Sequence, residues 1–481
     1  MDNQFINRIQ ETKWLEDAYE KAHKSGQLLI IYGKRRVGKT ELVTHFINST
    51  QKPSIYYLAN ETTKQEQLQS ATSVIATGFG DTFLTSSSFA SWREFFDYIV
   101  KKIGERPETE EPIILVFDEF PYLADADPGM SSFFQYGWEM GLKNQKVLLI
   151  LMGSSISMMY KHTLSKKAAL YGRRTGQWVL EPFNFEETKK FYPNAPFVNT
   201  FPLYAVTGGI PAYARVFDGN KTVKENIIKN ILPEGQFLSV EPELLLAEEF
   251  DDSRSYLNIL QAIGLGRTKF TQILQNSFLP ATSLPVYLKN LMELRLVKKE
   301  VPITEPTPEK SKKGSYSLSD PFLRFYFSFI FPYKSLINGG SYEGLFTRHE
   351  DILTSLIAKA YEDASLEFIQ MAIQNGSLPH FEEFGRWWDK DTEIDLVGLN
   401  QTDNTMLFVE TKWNAKPIGT EVLNTLKKKS QQVQWGKRNR KEYYALIAKG
   451  GFTDQLIETA KKDNVVLIQE DYLLGNGQKL R

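Results

Sequence analysis

Along the first 150 residues, strand-length apolar runs alternate with longer stretches in which apolar positions recur every three or four residues. Leu28 to Tyr32, Ser54 to Leu58, Ile113 to Phe117 and Val147 to Met152 have the length and hydrophobicity of strands buried on both faces. The stretches between them are long enough for amphipathic helices. Such alternation predicts a parallel sheet covered by helices, with functional loops at the carboxyl ends of its strands. Between about Glu181 and Asp252 the strand signal fades, and helical patterns broken by proline replace it.

From Tyr256 the period predicts three short helices, LNILQAIGLG, TKFTQILQN and ATSLPVYLKNLMEL, followed by two short strands, LVKKEVPI and SYSLSD. That order is a winged helix, with TEPTPEKSKKGS as the wing tip. Ser283, ahead of Pro285, has the chemistry of a helix start. An aromatic helix, Phe322 to Phe331, and a Gly-rich turn, Ile337 to Gly344, lead into a last unit. It reads as helix DILTSLIAKAYEDASLEFI, strands TEIDLVGL and MLFVETKW, a basic helix, and strands YYALIAK and VVLIQ. The expected division is 1–180, 181–252 as a helical lid, 253–335 as a winged helix-turn-helix, and 345–481. No internal repeat is visible.

Composition narrows the chemistry. The 481 residues contain 57 Lys plus Arg against 58 Asp plus Glu, a net charge of −1 that excludes a uniformly basic coat protein. Hydrophobic residues at 42% exclude a disordered chain. The absence of cysteine excludes disulfides, thiolate metal sites and a Cys nucleophile. No signal-peptide pattern opens the chain, and its most apolar aromatic stretch, Phe322 to Tyr333, is too short and too polar to span a bilayer. A cytoplasmic protein with no membrane partner is expected. The balance is uneven along the chain. Seven acids and no Lys or Arg lie between Ile231 and Asp252, which reads as a solvated helix and linker. Ten basic residues against three acidic ones lie between Glu410 and Lys449.

The sharpest chemical signal is GKRRVGKT, Gly33 to Thr40, which fits G-x-x-x-x-G-K-[ST] and sits between a strand and a helix. In that setting backbone N–H groups from Gly33, Arg36, Val37 and Gly38 and a helix N-terminus would face the phosphates of ATP. Lys39 would neutralise them, and the Thr40 hydroxyl would ligate Mg2+. The strand ILVFDEFPYL supplies Asp118 for the metal and Glu119 to polarise the attacking water; a helix cap is the plainer alternative. Ser154 and Ser155, at the tip of KVLLILMGSSISMM, are either sensors of the γ-phosphate or an ordinary strand-to-helix turn. Arg173 and Arg174 are either an arginine finger, in cis or in trans, or surface salt-bridge formers.

The set GKRRVGKT, LVFDEFPYL, LMGSSISMM, LYGRRT and TGGIPAYA resembles the archaeal-type ATPases of the STAND group of AAA-related P-loop proteins. The resemblance covers nearly the whole chain. It implies that FINRIQETKWL, with Phe5, Arg8, Glu11 and Leu15, lies near the adenine. It also implies that Gly208, Gly209 and Pro211 start a helical lid over the nucleotide, and that the fold is an α/β P-loop NTPase sheet with a helical lid. A homo-oligomer is compatible with this group.

The remaining signals concern nucleic acid. Lys289 and Asn290 are the base-reading candidates of the winged helix, while Lys298, Lys299, Lys310, Lys312 and Lys313 suit phosphate contact. A packing module that relays nucleotide state is the alternative. Asp395 and Glu410 occupy corresponding places on successive strands, and Lys412 shares a strand face with Glu410. Two carboxylates suit Mg2+ and an adjacent Lys suits stabilisation of a phosphorane, which is nuclease chemistry. With Glu362 on the preceding helix and Lys427, Lys428 and Lys429 on the following one, the order resembles the restriction-endonuclease-like PD-(D/E)XK domains. Here EID replaces the fuller Pro-Asp form. Trp413, Trp435, Tyr443 and Tyr444 are interleaved with the basic residues and suit base stacking. DNA is therefore an expected partner of the C-terminal domain and the winged helix. A nucleotide-controlled regulator that binds DNA or protein without cleavage is the alternative.

Overall fold

The computed structural model describes residues 5–81, 84, 88–250, 252–437 and 439–474. These gather into two compact units, one formed by the chain up to Pro182 together with Ile210–Ala212, the other by Phe183–Gly209 and the chain from Tyr213 onward.

In the first unit β1 (Gln27–Tyr32), β2 (Ser54–Leu58), β3 (Ile113–Asp118), β4 (Val147–Gly153) and β5 (Gly176–Val179) form one sheet, ordered β2-β3-β4-β1-β5. Every pair in it is parallel, so each connection must cross over and both faces are covered. Alternate residues divide between the faces. Ile114, Val116, Leu148, Ile150 and Met152 pack with Leu15 and Tyr19 of α1 (Ile9–Ala22) and Leu42, Val43 and Phe46 of α2 (Lys39–Thr50). On strand β3, Phe117 meets Phe95 of α4 (Trp92–Gly104) and Phe134 of α6 (Met130–Met140), whose ring centroid lies 4.8 Å away. Helix α3 (Lys64–Gly78) follows β2 behind a Thr63/Glu66 capping box, and α5 (Phe120–Ala126) and α7 (Ile156–Met159) follow β3 and β4. This is the parallel sheet of a P-loop NTPase.

The second unit opens with α8 (Phe185–Thr188) and α9 (Phe197–Thr207). The Glu367 carboxylate accepts hydrogen bonds from the Phe185 and Glu186 amides at 3.1 and 2.9 Å, so a distant acid caps α8. After α10 (Pro211–Ala214), α11 (Val223–Asn230) and α12 (Glu241–Glu249) come α13 (Ser253–Gly264), α14 (Phe270–Ser277), α15 (Leu284–Glu293) and the antiparallel pair β6 (Val297–Glu300) and β7 (Ser315–Leu318). The aromatic helix is α16 (Pro321–Phe325) running into a π-helical turn, Tyr326–Ile330. Helices α17 (Lys334–Asn338) and α18 (Tyr342–Gln374), the latter bent at His349, lead to a second sheet. Its strands are β8 (Glu383–Asp389), β9 (Thr392–Asn400), β10 (Thr405–Lys412), β11 (Lys441–Ala448), β12 (Val466–Gln469) and β13 (Tyr472–Leu473), adjacent in reverse chain order. The parallel pairs β10/β11 and β11/β12 are bridged by α19 (Thr420–Ser430) and α20 (Asp454–Asp463).

Three local expectations need correction. Ser283 stands at the start of α15 but has helical dihedrals and makes no capping hydrogen bond, so Pro285 alone carries that start. The acidic stretch is only partly solvated. Glu241 is buried and accepts from the Tyr213 hydroxyl, Glu243 takes Tyr326 and Lys334, and Asp252 caps α13. Asp251 lies outside the described residues. Strand β8 was not expected, because EFGRWWD is an edge strand without a buried apolar run. Among the described residues no helix is long and apolar enough to cross a membrane.

Candidate functional site

The phosphate loop leaves the carboxyl end of β1, the strand paired with β4 on one side and β5 on the other. Gly33 has φ +156°, and a Cβ there would stand 2.3 Å from the Leu180 carbonyl oxygen. Gly38 has φ +93° and opens α2 without any side-chain cap, which places the helix N-terminus at the end of the loop. Val37 is fully buried and Arg36 adopts φ 64°, which turns the loop back on itself. Lys39 is only 5% exposed, and its ammonium donates to the Gly33 and Lys34 carbonyls at 3.0 Å each. Burial lowers its pKa to about 8 against the pull of Glu119 and Asp118. A buried ammonium in a ring of amides fits a polyphosphate, which would restore its charge.

Asp118 ends β3, which β4 separates from β1, and is 1% exposed. Its Oδ2 accepts from the Thr40 hydroxyl at 2.8 Å and from the Tyr56 hydroxyl, and its Oδ1 accepts from the Glu119 amide. Thr40 and Asp118 thus bring together two oxygen donors that could hold a divalent ion. Glu119 sits at φ 51°, and both its carboxylate oxygens accept from Ser154, through the amide at 3.1 Å and the hydroxyl at 2.9 Å. Glu119 makes no side-chain cap on α5. Ser155 is the ordinary turn residue, capping α7 through the Met158 amide.

The other residues of the first unit singled out by sequence are placed as follows. Arg8, expected beside the adenine, is 4% exposed and donates to the Val37 and Glu181 carbonyls at 2.9 and 2.8 Å and to Glu11 at 3.1 Å. It braces the loop backbone. Leu15 belongs to the core, and Phe5 stacks on His45 at 3.8 Å. Arg173 pairs with Glu139 at 3.0 Å. Thr175, next to Arg174, bonds Leu28 at the amino end of β1, five residues and therefore roughly 16 Å of strand from Gly33. Neither arginine reaches the phosphates in cis. Pro211 opens α10, while Gly208 and Gly209 take φ +65° and +70°. A Cβ at Gly209 would stand 1.8 Å from the Phe183 carbonyl oxygen, so only glycine fits there.

The second sheet brings together the C-terminal residues singled out by sequence. The β9/β10 register pairs Leu396 with Val409, which sets Asp395 opposite Glu410. Asp395 is 8% exposed and accepts from the Thr411 amide at 2.8 Å. Its carboxyl is held above the ordinary range by burial first, then by the nearby charges of Glu362 and Glu410. Lys412 donates to Glu410 Oε1 at 2.7 Å. Burial works against its charge, but the Glu410 bond and the Asp395 and Glu362 charges outweigh it and hold its pKa above the usual value. Lys429 of α19 donates to both Glu410 oxygens, at 3.1 and 2.9 Å. Glu362 on α18 pairs with Lys359 at 2.7 Å and stands 3.8 Å from Arg386. Among the described residues no three His, Asp or Glu side chains form a ready metal cage. Two carboxylates do face each other here.

The polyanion candidates are more internally committed than their sequence suggests. Trp413 packs 5.2 Å from Phe201 and from Tyr361, Trp435 lies against the core, and Tyr444 bonds Glu442 and Ser430. Lys427 pairs with Asp463 and Arg440 with Glu442. Lys416, Lys428, Lys437 and Lys441 are exposed, and Arg438 lies outside the described residues. On α15, Asn290 donates to the Tyr256 hydroxyl at 2.7 Å and Lys289 stands 3.7 Å from Glu293. Lys298 and Lys313 of the hairpin also have acidic partners.

Tyr56, the Ser154–Glu119 pair and the contact of Lys429 with Glu410 are not legible in the sequence motifs. Lys429 lies three positions after the buried Leu426, which puts it on the inward face of α19, whereas Lys428 points out. That spacing was the available signal.

Two family models match parts of the chain. Residues 5–214 match the family described as an ATPase domain predominantly from Archaea, and residues 326–431 match one described as archaeal and bacterial proteins of unknown function. The uncharacterized protein MJECL04 of Methanocaldococcus jannaschii is 33% identical over 454 residues, 92% of this chain and 95% of that protein. Among solved structures, the Walker-type ATPase PABY2304 of Pyrococcus abyssi is 23% identical, with a TM-score of 0.48 over 68% of this chain and 97% of that one. The ORC2 protein of Aeropyrum pernix is 14% identical, with a TM-score of 0.43 over 71% of this chain and 97% of that one. With a near full-length relative at this identity and the phosphate loop, Asp118 and Glu119 inside the matched segment, the chain belongs to the archaeal ATPase family.

Proposed function

We propose that this ATPase is a STAND-type switch that binds and hydrolyses Mg2+·ATP and couples its nucleotide state to a DNA-binding, nuclease-like C-terminal domain. The observation that carries the reading is the meeting of Lys39, Thr40, Asp118 and Glu119 at the carboxyl ends of β1 and β3. Lys39 and the loop amides bind the phosphates, Thr40 and Asp118 hold Mg2+, and Glu119 accepts the proton of the attacking water. Bound Mg2+ supplies charge neutralisation at the phosphates. Ser154 holds Glu119 in place until the γ-phosphate and its water compete for it. We divide the chain into an NTPase domain (1–180), a helical lid (181–252) that includes Pro211, a winged helix (253–335) and a restriction-endonuclease-like domain (345–481). The protein acts in the cytoplasm, and self-association would bring an arginine to a neighbour's phosphates in trans.

For the C-terminal domain, Asp395 and Glu410 are the metal carboxylates and Lys412 the cation beside the scissile phosphate. The exposed lysines between Lys416 and Lys441 supply backbone contact with DNA. The second reading, binding without cleavage, is favoured by one observation: both oxygens of Glu410 are already held by lysines. One experiment addresses both readings. ATP binding, ATP hydrolysis and DNA cleavage are measured on the full chain with Mg2+ or Mn2+, with and without ATP. Lys39→Ala should weaken ATP binding severely, and Glu119→Gln should keep binding while slowing hydrolysis about 100-fold or more. Cleavage that disappears in Glu410→Ala and Lys412→Ala supports the nuclease. Salt-sensitive DNA binding with no cleavage under any condition supports the second reading, and normal ATP binding by Lys39→Ala would overturn the phosphate-loop assignment.

A further inference from the structure

We infer that Lys429 is a gate on the C-terminal carboxylate pair: its ammonium occupies the face of Glu410 that a divalent cation needs, so that metal entry and the Lys429–Glu410 pair exclude each other. The inference rests on reading Asp395 and Glu410 as metal carboxylates. Glu410 is 6% exposed, and its two oxygens receive three hydrogen bonds, one from Lys412 and two from Lys429. Lys412 takes a single oxygen and lies on the same strand, as a positioning lysine should. Lys429 straddles both oxygens from a different element, which is the position a chelated cation takes.

Charge makes the exclusion strong. A divalent ion on Glu410 would stand a few Å from the ammonium of Lys429 in a largely buried site, where like charges repel far more than in water. Lys412 and Lys429 already sit on Glu410, and Lys359 and Arg386 on Glu362, while Asp395 accepts from the Thr411 amide. Lys429 is 21% exposed at its side chain, and its helix carries the exposed Lys428 beside it. A phosphate arriving at the solvent-exposed part of Lys429 offers it another anion. When it moves across, Glu410 is uncovered. The phosphodiester thus opens the metal site that is to act on it, and metal alone binds poorly.

The test uses Mn2+ as the probe, read by electron paramagnetic resonance on the full chain without nucleotide. Lys429→Met should bind Mn2+ at least about tenfold more tightly than the natural chain, and adding Glu410→Gln should remove that site. Lys429→Arg, which keeps the charge, should stay weak. A non-cleavable phosphorothioate DNA should tighten Mn2+ binding to the natural chain but not further to Lys429→Met. Equal Mn2+ affinity in the natural chain and Lys429→Met, lost in both with Glu410→Gln, overturns the gate while leaving the metal site standing. No Mn2+ binding that depends on Glu410 in any variant, each showing a cooperative melt, overturns the metal reading itself and the gate with it.

Discussion

Lys39 is buried within the phosphate loop, and its burial has a measurable consequence. Its pKa in the folded chain, about 8, lies below the usual 10.5. A phosphate would raise it again, so at pH 8 ATP binding should take up about half a proton, and above pH 8 affinity should fall as Lys39 must be recharged. Calorimetry in buffers of different ionisation enthalpy reads the uptake, which should vanish in Lys39→Met with the nucleotide concentration raised to restore occupancy. At this scale the sequence was informative where chemistry is local in the chain. Gly33 to Thr40 lie on one loop, and Asp118 and Glu119 end one strand. It was silent where partners come together through the fold. Nothing in SIYYL shows that Tyr56 will donate to Asp118, because that depends on β2 lying beside β3. Ser154 meets Glu119 only because β4 is the other neighbour of β3.

Elements were read more unevenly. The four apolar runs became β1 to β4 almost residue for residue, since β1, β3 and β4 are buried on both faces and have no polar alternation to blur their ends, while β2 is an edge strand of alternating burial. Strand order was not legible, because β2-β3-β4-β1-β5 is set by crossovers. In the second sheet β8, α20 and β13 escaped: one is a charged, aromatic edge strand, one a polar helix, and one only two residues long. Helix α8 shows another limit. Four residues cannot hold a helix alone, and Glu367, about 180 positions away, satisfies its first amides. Burial raises the Glu367 pKa to about 7. Its folded pKa lies above the unfolded value, so its contribution to stability is complete below about pH 4.5 and is lost as pH rises through 7. Glu367→Gln should therefore flatten the pH dependence of the urea midpoint between pH 5 and pH 8 by about 2 to 3 kcal/mol.

For the whole molecule, a net charge of −1 averages over unlike regions, and many of the local charges are matched by partners within the fold. A larger consequence follows from the path of the chain. The polypeptide leaves the first unit after Pro182, returns for Ile210–Ala212 and leaves again. Ile210 is 3% exposed, so a fragment ending at Pro182 should be about 2 kcal/mol less stable to urea than one ending at Ala214. The ATPase half is therefore not a bead that can be clipped from a string. Any contiguous piece that keeps it whole must also carry residues 183–209 of the other half, and a single nick after Pro182 would leave the fragments laced together. Transplanting the ATPase unit onto another C-terminal module requires a splice beyond residue 212, with part of the original second unit travelling along.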